Sequence, residues 1–272
     1  MTNRLTALLI LHNEEKTIKR ALDSIRGVVD EIFVIHDGTC TDDTLNICKK
    51  YTDKIFVRPR KKRASLQMIF AFNKIETDWI LKLDADEFLS DDLRKNLKTL
   101  INDKSVDAYS FLWRWWDGKK YITKNFPHKM VLFKKSKISF LEFPGNDEPE
   151  VLGNLKKVNF SLEHRPTYNN FTWENAIKRG IPRAKDQAVW TMKDFDKLKK
   201  YNYHRDNFKL AIKLRRNFTL LSMIIFPTLA LIKIMKSGYK EGIVVLDFAI
   251  KDAVYQASVC YYILKLKWNG KI

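Results

Sequence analysis

The sequence predicts an α/β fold, with a mostly parallel sheet flanked by helices and a helical, amphipathic C-terminal region after it. Three observations support this prediction. Strand-like and helix-like segments alternate through residues 5–101. The strand-like segments are continuously apolar, which is typical of strands buried on both faces of a parallel sheet. From residue 171 onward, basic residues and helical spacing replace the alternation.

Strand–helix units account for the first part of the chain. In the predicted helices, apolar residues recur three or four positions apart, as Ile18, Leu22 and Ile25 do. The predicted strands are 5–11, 31–36, 54–57 and 79–83, and the predicted helices are 14–26, 42–50, 64–74 and 91–101. Because each helix carries the chain back along the sheet, successive strands should run parallel.

The pattern changes after residue 105. The predicted features here are strands at 106–112, 129–134 and 156–162, an aromatic loop with Trp113, Trp115 and Trp116, and a polar loop at 144–149. Residues 171–215 have helical spacing and many basic side chains. We therefore expect residues 1–105 and 106–170 to be two halves of one domain, and residues 171–272 to be a separate helical region.

The C-terminal region holds two apolar segments. Residues 219–232 would form a helix of about 21 Å, shorter than the ~30 Å hydrocarbon core of a bilayer, and Pro227 should break it. Residues 243–264 are long enough but contain Asp247 and Asp252. Neither segment predicts a transmembrane helix. We expect helices that lie on an anionic membrane surface, or that join copies of the chain in a homo-oligomer.

Charge and cysteine content restrict the class of protein. The formal net charge is +18, which implies an anionic partner such as nucleic acid, anionic lipid or a phosphorylated substrate. The three cysteines form no Cys-x-x-Cys pair, so neither a zinc site nor a disulfide framework is expected. No signal-peptide pattern precedes the first predicted strand. These features favour a cytoplasmic protein.

The strongest local signal is the Asp-x-Asp formed by Asp84 and Asp86 at the end of the fourth predicted strand. Ligands of open α/β sheets bind outside the carboxyl ends of strands, and paired carboxylates there have the chemistry to share Mg²⁺ or Mn²⁺ with a diphosphate. A solvated acidic turn would show the same pattern. Asn13 and Glu14 follow the first strand and Asp37 follows the second, where helix capping is the alternative explanation.

Three segments resemble the family 2 glycosyltransferases, a large inverting family. They are ALLILHNEEKTIKRALDSI at 7–25, VIHDGTCTDDTLNICKKY at 34–51 and DWILKLDADEFL at 78–89. The nearest branch is that of lipopolysaccharide-core glucosyltransferases of the KdtX/WaaE kind. The resemblance implies a GT-A fold, a nucleotide-diphosphate sugar donor (a UDP-sugar favoured), Mg²⁺ or Mn²⁺, and a glycan or lipid-linked acceptor. His12 and Cys40 depart from the family pattern.

The resemblance also implies roles for the residues at the strand ends. Asn13, Glu14 and Asp37 would hold the nucleoside. Asp84 would contact ribose or metal, and Asp86 would bind the metal. In this family residues 1–105 would bind the donor, and 106–170 would bind the acceptor.

An inverting transfer needs a general base that takes the proton of the acceptor hydroxyl. In this branch the base is an acidic residue in a loop after the Leu-Phe strand, so Glu148 and Asp147 are the candidates, with Glu148 preferred. An exposed acidic turn is the alternative for that loop. His164 and Arg165 follow a later strand and could reach the diphosphate.

Two other functions each fit part of the sequence. A nucleic-acid-binding protein would suit the charge, but the sequence has no helix-turn-helix, zinc or RNP-like motif. A nucleotidyltransferase would need a glycine-rich, basic loop after the first strand, and Leu11, His12, Asn13 and Glu14 do not form one. The resulting hypothesis is a cytoplasmic glycosyltransferase, peripheral at the inner face of the cell membrane and without a nucleic-acid partner.

Overall fold

The computed structural model describes residues 3–61, 64–139, 149–169, 171–192 and 206–270. Within these ranges the chain forms two compact units. The first contains the described strands and the helices between them, and the second contains the helices that follow. The predicted fold class is confirmed, because the first unit is a mostly parallel sheet flanked by helices and the C-terminal region is helical.

The element bounds agree closely with the sequence pattern. The strands are β1 (Leu5–Leu11), β2 (Glu31–Asp37), β3 (Ile55–Arg58), β4 (Trp79–Leu83), β5 (Glu87–Leu89), β6 (Ala108–Leu112), β7 (His128–Lys134), β8 (Ile138–Ser139), β9 (Glu150–Val151) and β10 (Leu155–His164). The helices are α1 (Ile18–Ile25), α2 (Thr44–Cys48), α3 (Ala64–Phe72), α4 (Asp91–Asn102), α5 (Trp173–Thr191), α6 (Asp206–Asn217), α7 (Thr219–Gly238) and α8 (Ile243–Trp268).

The main sheet has the strand order β3-β2-β1-β4-β7-β6-β10-β5. β1 pairs in parallel with both β2 and β4, and β6 pairs in parallel with β10. β7 lies antiparallel between β4 and β6, and β5 lies antiparallel on β10. Six strands therefore point the same way, and their carboxyl ends form one edge of the sheet. β7 and β5 run in the opposite direction and begin at that edge.

Both faces of the sheet are covered, which explains the continuously apolar strands. In β1, Leu9 belongs to the core cluster that includes α1 and α4, and Leu8 belongs to the cluster that includes α3. Both side chains are fully buried. Burial of one leucine contributes about 1.5–3 kcal/mol, so a polar residue at either position would destabilise the sheet.

The sequence pattern did not predict three short strands. β5, β8 and β9 contain two or three residues each, too few for any periodicity to be visible. α1 was expected from residue 14 but begins at Ile18, because residues 14–17 form a turn in which the Thr17 amide donates to the Glu14 carbonyl at 3.1 Å. That turn keeps Glu14 at the sheet edge.

In the helical unit, α8 packs against α5 and α7. Ala184 and Ala188 of α5 contact Val259 and Ile263 of α8. Charged side chains within α8 also form contacts inside this unit. Lys251 is largely buried, and its ammonium donates to the Phe171 carbonyl at 2.6 Å and to the Asp247 carboxylate.

The expected break at Pro227 is wrong, since α7 runs uninterrupted through the proline. The proline removes one amide donor, and nearby the Thr228 hydroxyl donates to the Ile224 carbonyl at 2.8 Å. The helix ends at Gly238, beyond the predicted 219–232. One helical segment among the described residues, Thr219–Glu241, is long and apolar enough to cross a membrane by length and composition, and only 17% of its most apolar window is buried.

Candidate functional site

Polar side chains from six strands meet at the edge where the parallel strands end. Asn13 and Asp84 follow β1 and β4, and Asp37 is the last residue of β2; these three strands are adjacent. His164 ends β10. β5 and β7 begin at the same edge, with Glu87 and Lys129. All predicted site residues that the structure describes therefore lie along one edge of the sheet.

The turn after β1 is fixed to the loop after β2. Asn13 has a φ of +55°, in the left-handed region that asparagine tolerates. Its side-chain oxygen accepts from the Thr41 amide at 3.0 Å, and its side-chain nitrogen donates to the Thr41 hydroxyl at 2.7 Å. The Glu14 amide donates to the Thr44 hydroxyl at 2.6 Å. These bonds hold Asn13 and Glu14 in one conformation.

The buried side chain of His36 contacts both of these loops. Nδ1 of His36 lies 2.8 Å from the Gly38 carbonyl, and the Asn13 amide donates to its Nε2 at 3.3 Å. In this geometry Nδ1 donates to the Gly38 carbonyl and Nε2 accepts from the Asn13 amide, so His36 ties the two loops together. Gly38 has a φ of +102°, and a Cβ there would come within 3.3 Å of Cβ of Arg60. The position therefore requires glycine.

Asp37 holds the segment that leads into α3. Its Oδ1 accepts from the Lys61 amide at 2.9 Å and from the side-chain amide of Gln67. Gln67 is fully buried and also donates to the Pro59 carbonyl at 3.1 Å. Sequence reasoning missed Gln67. The available signal was an amide side chain inside an otherwise apolar helix.

The Asp-x-Asp strand end contains a buried ion network. The ammonium of Lys129 lies 2.6 Å from Oδ2 of Asp84 and 2.5 Å from Oε1 of Glu87. Glu87 is fully buried, and its Oε2 accepts from the Asp84 amide at 3.0 Å. Although burial acts against it, the positive charges of Lys129 and Lys82 lower the pKa of Asp84 well below its ordinary value. Asp84 is therefore a fixed, ionised group.

The rings of Trp113 and His164 connect this ion network to Asp86. The indole nitrogen of Trp113 donates to Oε1 of Glu87 at 2.6 Å. The indole ring stacks on the ring of His164, with centroids 4.1 Å apart. Nε2 of His164 lies 3.4 Å from Oδ2 of Asp86. Glu87 thus orients Trp113, and Trp113 orients the imidazole toward the Asp86 carboxylate.

Asp86 and His164 suit a divalent cation. Two ligands of one octahedral ion with bonds of about 2.1 Å lie roughly 3 Å apart, close to the 3.4 Å observed. Burial and the negative charges of Asp86, Asp42 and Asp84 raise the pKa of Glu14, so acidic side chains crowd this part of the sheet edge. The described residues contain no group of three or more His, Cys, Asp or Glu side chains able to hold a metal, so substrate oxygens and water would complete the shell.

Some predictions are not tested by this geometry. The general-base candidates Asp147 and Glu148 lie outside the described residues. Sequence reasoning missed Lys129, Glu87 and Trp113 as partners of the acidic pair, because they lie on other strands and share no local motif with it. It did note His164, which the structure brings to Asp86.

Comparisons with known proteins agree with this architecture. The family model described as "Glycosyl transferase family 2" matches residues 6–147. An uncharacterized glycosyltransferase of Rickettsia conorii is 32% identical over 109 residues, which cover 40% of this chain and 38% of the relative. Glycosyltransferase SunS of Bacillus phage SPbeta is 33% identical over 93 residues, which cover 33% of this chain and 21% of that protein. The chain thus matches well under half the length of these relatives.

A solved structure shares the fold. Glucosyl-3-phosphoglycerate synthase of Mycobacterium tuberculosis, in complex with phosphoglyceric acid, superimposes with a TM-score of 0.50. The two chains are 16% identical, and the superposition covers 69% of this chain and 78% of the synthase. Another structure of that enzyme, with a TM-score of 0.46, holds Mn²⁺ and UDP-glucose. At this identity the likeness is one of fold, and it agrees with the expected GT-A type.

Proposed function

The chain belongs to glycosyl transferase family 2, and we propose that it is an inverting, metal-dependent enzyme that uses a nucleotide-diphosphate sugar. A UDP-sugar is the favoured donor. The acceptor is a hydroxyl of a cell-surface glycan or a lipid-linked sugar, as in the KdtX/WaaE-like branch that the sequence resembles. The single observation that carries this proposal is the pair formed by Asp86, which follows β4, and His164, which ends β10, 3.4 Å apart.

Asp86 and His164 would hold the metal. When bound, Mg²⁺ or Mn²⁺ supplies charge neutralisation for the leaving diphosphate. Asp84, oriented by Lys129, is assigned to ribose or metal. Its orientation is fixed before the donor arrives, so little reorganisation accompanies binding, as electrostatic catalysis requires.

Asn13, Glu14 and Asp37 would hold the nucleoside. Their conformations are set by the hydrogen bonds of the β1 and β2 ends. On the acceptor side, Glu148, or failing it Asp147, would take the hydroxyl proton as the oxygen attacks the anomeric carbon. The sugar then inverts, because attack and departure occur on opposite faces.

The helical unit is assigned to an anionic membrane surface on the cytoplasmic side. Leu220 is 72% exposed and Ile224 is 69% exposed, one turn apart on α7. Lys213 precedes this face, and Lys233 and Lys236 follow it. Basic residues at such a surface each contribute about 1 kcal/mol through attraction to anionic headgroups. The net charge of +18 would then attract anionic lipid and phosphorylated substrates rather than nucleic acid. A homo-oligomer built through α7 is the competing assignment.

The proposal is tested by turnover of a panel of nucleotide-sugars with Mn²⁺ and with EDTA. We expect slow hydrolysis of one donor, UDP-linked, in Mn²⁺ only. Asp86→Asn should abolish that hydrolysis, and Asp92→Asn, an exposed carboxylate at the start of α4, should retain it. Metal-independent turnover, or an active Asp86→Asn variant, would contradict the proposal.

A further inference from the structure

Three arginine side chains from different elements converge beside the Asp86 strand end. Arg20 lies on α1, Arg114 follows β6 and Arg165 follows β10. The guanidinium groups of Arg20 and Arg165 lie 4.4 and 5.3 Å from the ring centre of Phe88. Those of Arg114 and Arg165 lie 4.1 and 5.5 Å from the ring centre of Tyr121. We call Arg20, Arg114 and Arg165 the arginine cluster.

The arginine cluster carries more positive charge than its neighbours balance. Glu163 pairs with Arg114 at 3.1 Å and with Arg165 at 3.5 Å. The second oxygen of Glu163 also accepts from the Tyr121 hydroxyl. Arg20 donates to the Arg165 carbonyl at 2.8 Å and forms no ion pair with a carboxylate in the described ranges. One carboxylate, Glu163, therefore pairs with two of the three guanidinium groups, and the third has no carboxylate partner in the described ranges.

The free protein leaves this cluster in an unfavourable electrostatic state. Burial and the neighbouring charge of Arg165 lower the pKa of Arg20. Nε of Arg114 is buried and has no hydrogen-bond partner among the residues that the structure describes. A buried donor without a partner and adjacent like charges both raise the free energy of the site. An anion with several acceptor oxygens would relieve both.

We propose that the arginine cluster is an anion subsite that binds a phosphate group of the acceptor. This inference rests on the proposed function. Guanidinium groups approaching from three elements suit the several terminal oxygens of a phosphate. The Arg165 amide donates to the Asp86 carbonyl at 3.0 Å, so the subsite adjoins the place where the sugar is transferred. The Trp116 and Tyr121 rings, 5.0 Å apart, offer an apolar surface for the acceptor's carbon skeleton.

The first test is calorimetric titration of the full chain with inorganic phosphate in EDTA, at ionic strength held constant with chloride. Removing one guanidinium should weaken phosphate binding by about tenfold or more, as expected for a charge-assisted hydrogen bond. Arg20→Gln and Arg114→Gln are the test variants. Lys19→Gln is the matched control, because Lys19 precedes Arg20 on α1 and pairs with the exposed Asp23. Phosphate affinity that is absent from the wild type, or unchanged in both arginine variants, overturns the subsite.

Further titrations decide whether the arginine cluster binds a phosphate of the acceptor or the diphosphate of the donor. Wild-type protein saturated with UDP and Mn²⁺ should still bind phosphate, and both arginine variants should keep their UDP affinity. Competition between phosphate and UDP would assign the cluster to the donor and overturn the acceptor role. A wild type that binds phosphate but not UDP would contradict the proposed function alone. Should Arg114→Gln fold poorly, Arg20→Gln, which breaks no ion pair in the described ranges, tests the subsite by itself.

Discussion

Lys129 is the residue on which the charge balance at the Asp-x-Asp strand end depends. Its side chain is 15% exposed and contacts two carboxylates, one of them fully buried. Burial opposes its positive charge, but the neighbouring carboxylates of Asp84 and Glu87 raise the pKa of Lys129 above its ordinary value. Lys129 is therefore a positioning residue that keeps Asp84 ionised and oriented.

We predict that Lys129→Met lowers the free energy of unfolding by about 3–5 kcal/mol, since one partner of a buried pair is removed. Urea denaturation measures this loss. The double variant Lys129→Met/Glu87→Gln should regain much of it, because the buried charge is then removed as well. Lys137→Met, an exposed lysine just after β7, is the control. Equal stability of Lys129→Met and the control would show that the network contributes nothing.

Trp113 also acts through other residues. Its ring stacks on His164, and its indole nitrogen bonds Glu87. We predict that Trp113→Phe, which keeps an aromatic ring but loses the bond, raises the apparent Kd for Mn²⁺ by about tenfold, the usual effect of an outer-shell partner. Titration of Mn²⁺ in the presence of UDP measures this change. A purely structural tryptophan would alter the melting temperature and leave Mn²⁺ affinity unchanged.

At the scale of elements, local pattern was sufficient for part of the site. β1, β2 and β4 were predicted within one residue, because each is a continuous apolar run ended by polar residues. Since adjacent parallel strands end at one edge, the convergence of Asn13, Asp37 and Asp84 followed from the strand assignments. The same argument could not find Lys129 or Trp113.

The partners that the sequence did not reveal are brought to the site by the strand order, which local sequence does not encode. β7 is inserted antiparallel between β4 and β6, and this insertion brings Lys129 to Asp84. β5 has three residues and pairs with β10, far along the chain, so the approach of Glu87 to His164 is a tertiary event. The predicted break at Pro227 was wrong for the opposite reason. A local preference of proline for helix ends was outweighed by the apolar helix around it.

The loop between β3 and α3, which Asp37 holds in place, gives a prediction at this scale. Asp37→Asn keeps an oxygen that can accept from the Lys61 amide, so the loop should persist. The negative charge facing the nucleoside is lost, and we predict that the Kd for UDP rises about tenfold or more with unfolding free energy unchanged. Calorimetric titration and urea denaturation measure the two quantities. Unchanged UDP affinity would remove Asp37 from the donor site.

At the scale of the whole molecule, the basic charge and the exposed face of α7 predict membrane binding. Full-length protein should float with anionic vesicles at low salt and be released at high salt. Leu220→Ser/Ile224→Ser should reduce flotation several-fold, since the apolar contact is lost. Val57→Ser, at an apolar position of β3 that is 57% exposed, is the control. Protein that stays free of vesicles at every salt concentration would instead favour an oligomer built through α7.

The central claim is that Asp86, with His164, holds a metal that binds the donor diphosphate. Calorimetric titration of UDP into the wild type and into Asp86→Asn, each in Mn²⁺ and in EDTA, tests it most directly. We predict that Mn²⁺ strengthens UDP binding to the wild type by about tenfold or more, and that this gain is absent in Asp86→Asn. Equal UDP affinity of the wild type with and without Mn²⁺, or a full Mn²⁺ gain in Asp86→Asn, would contradict the claim.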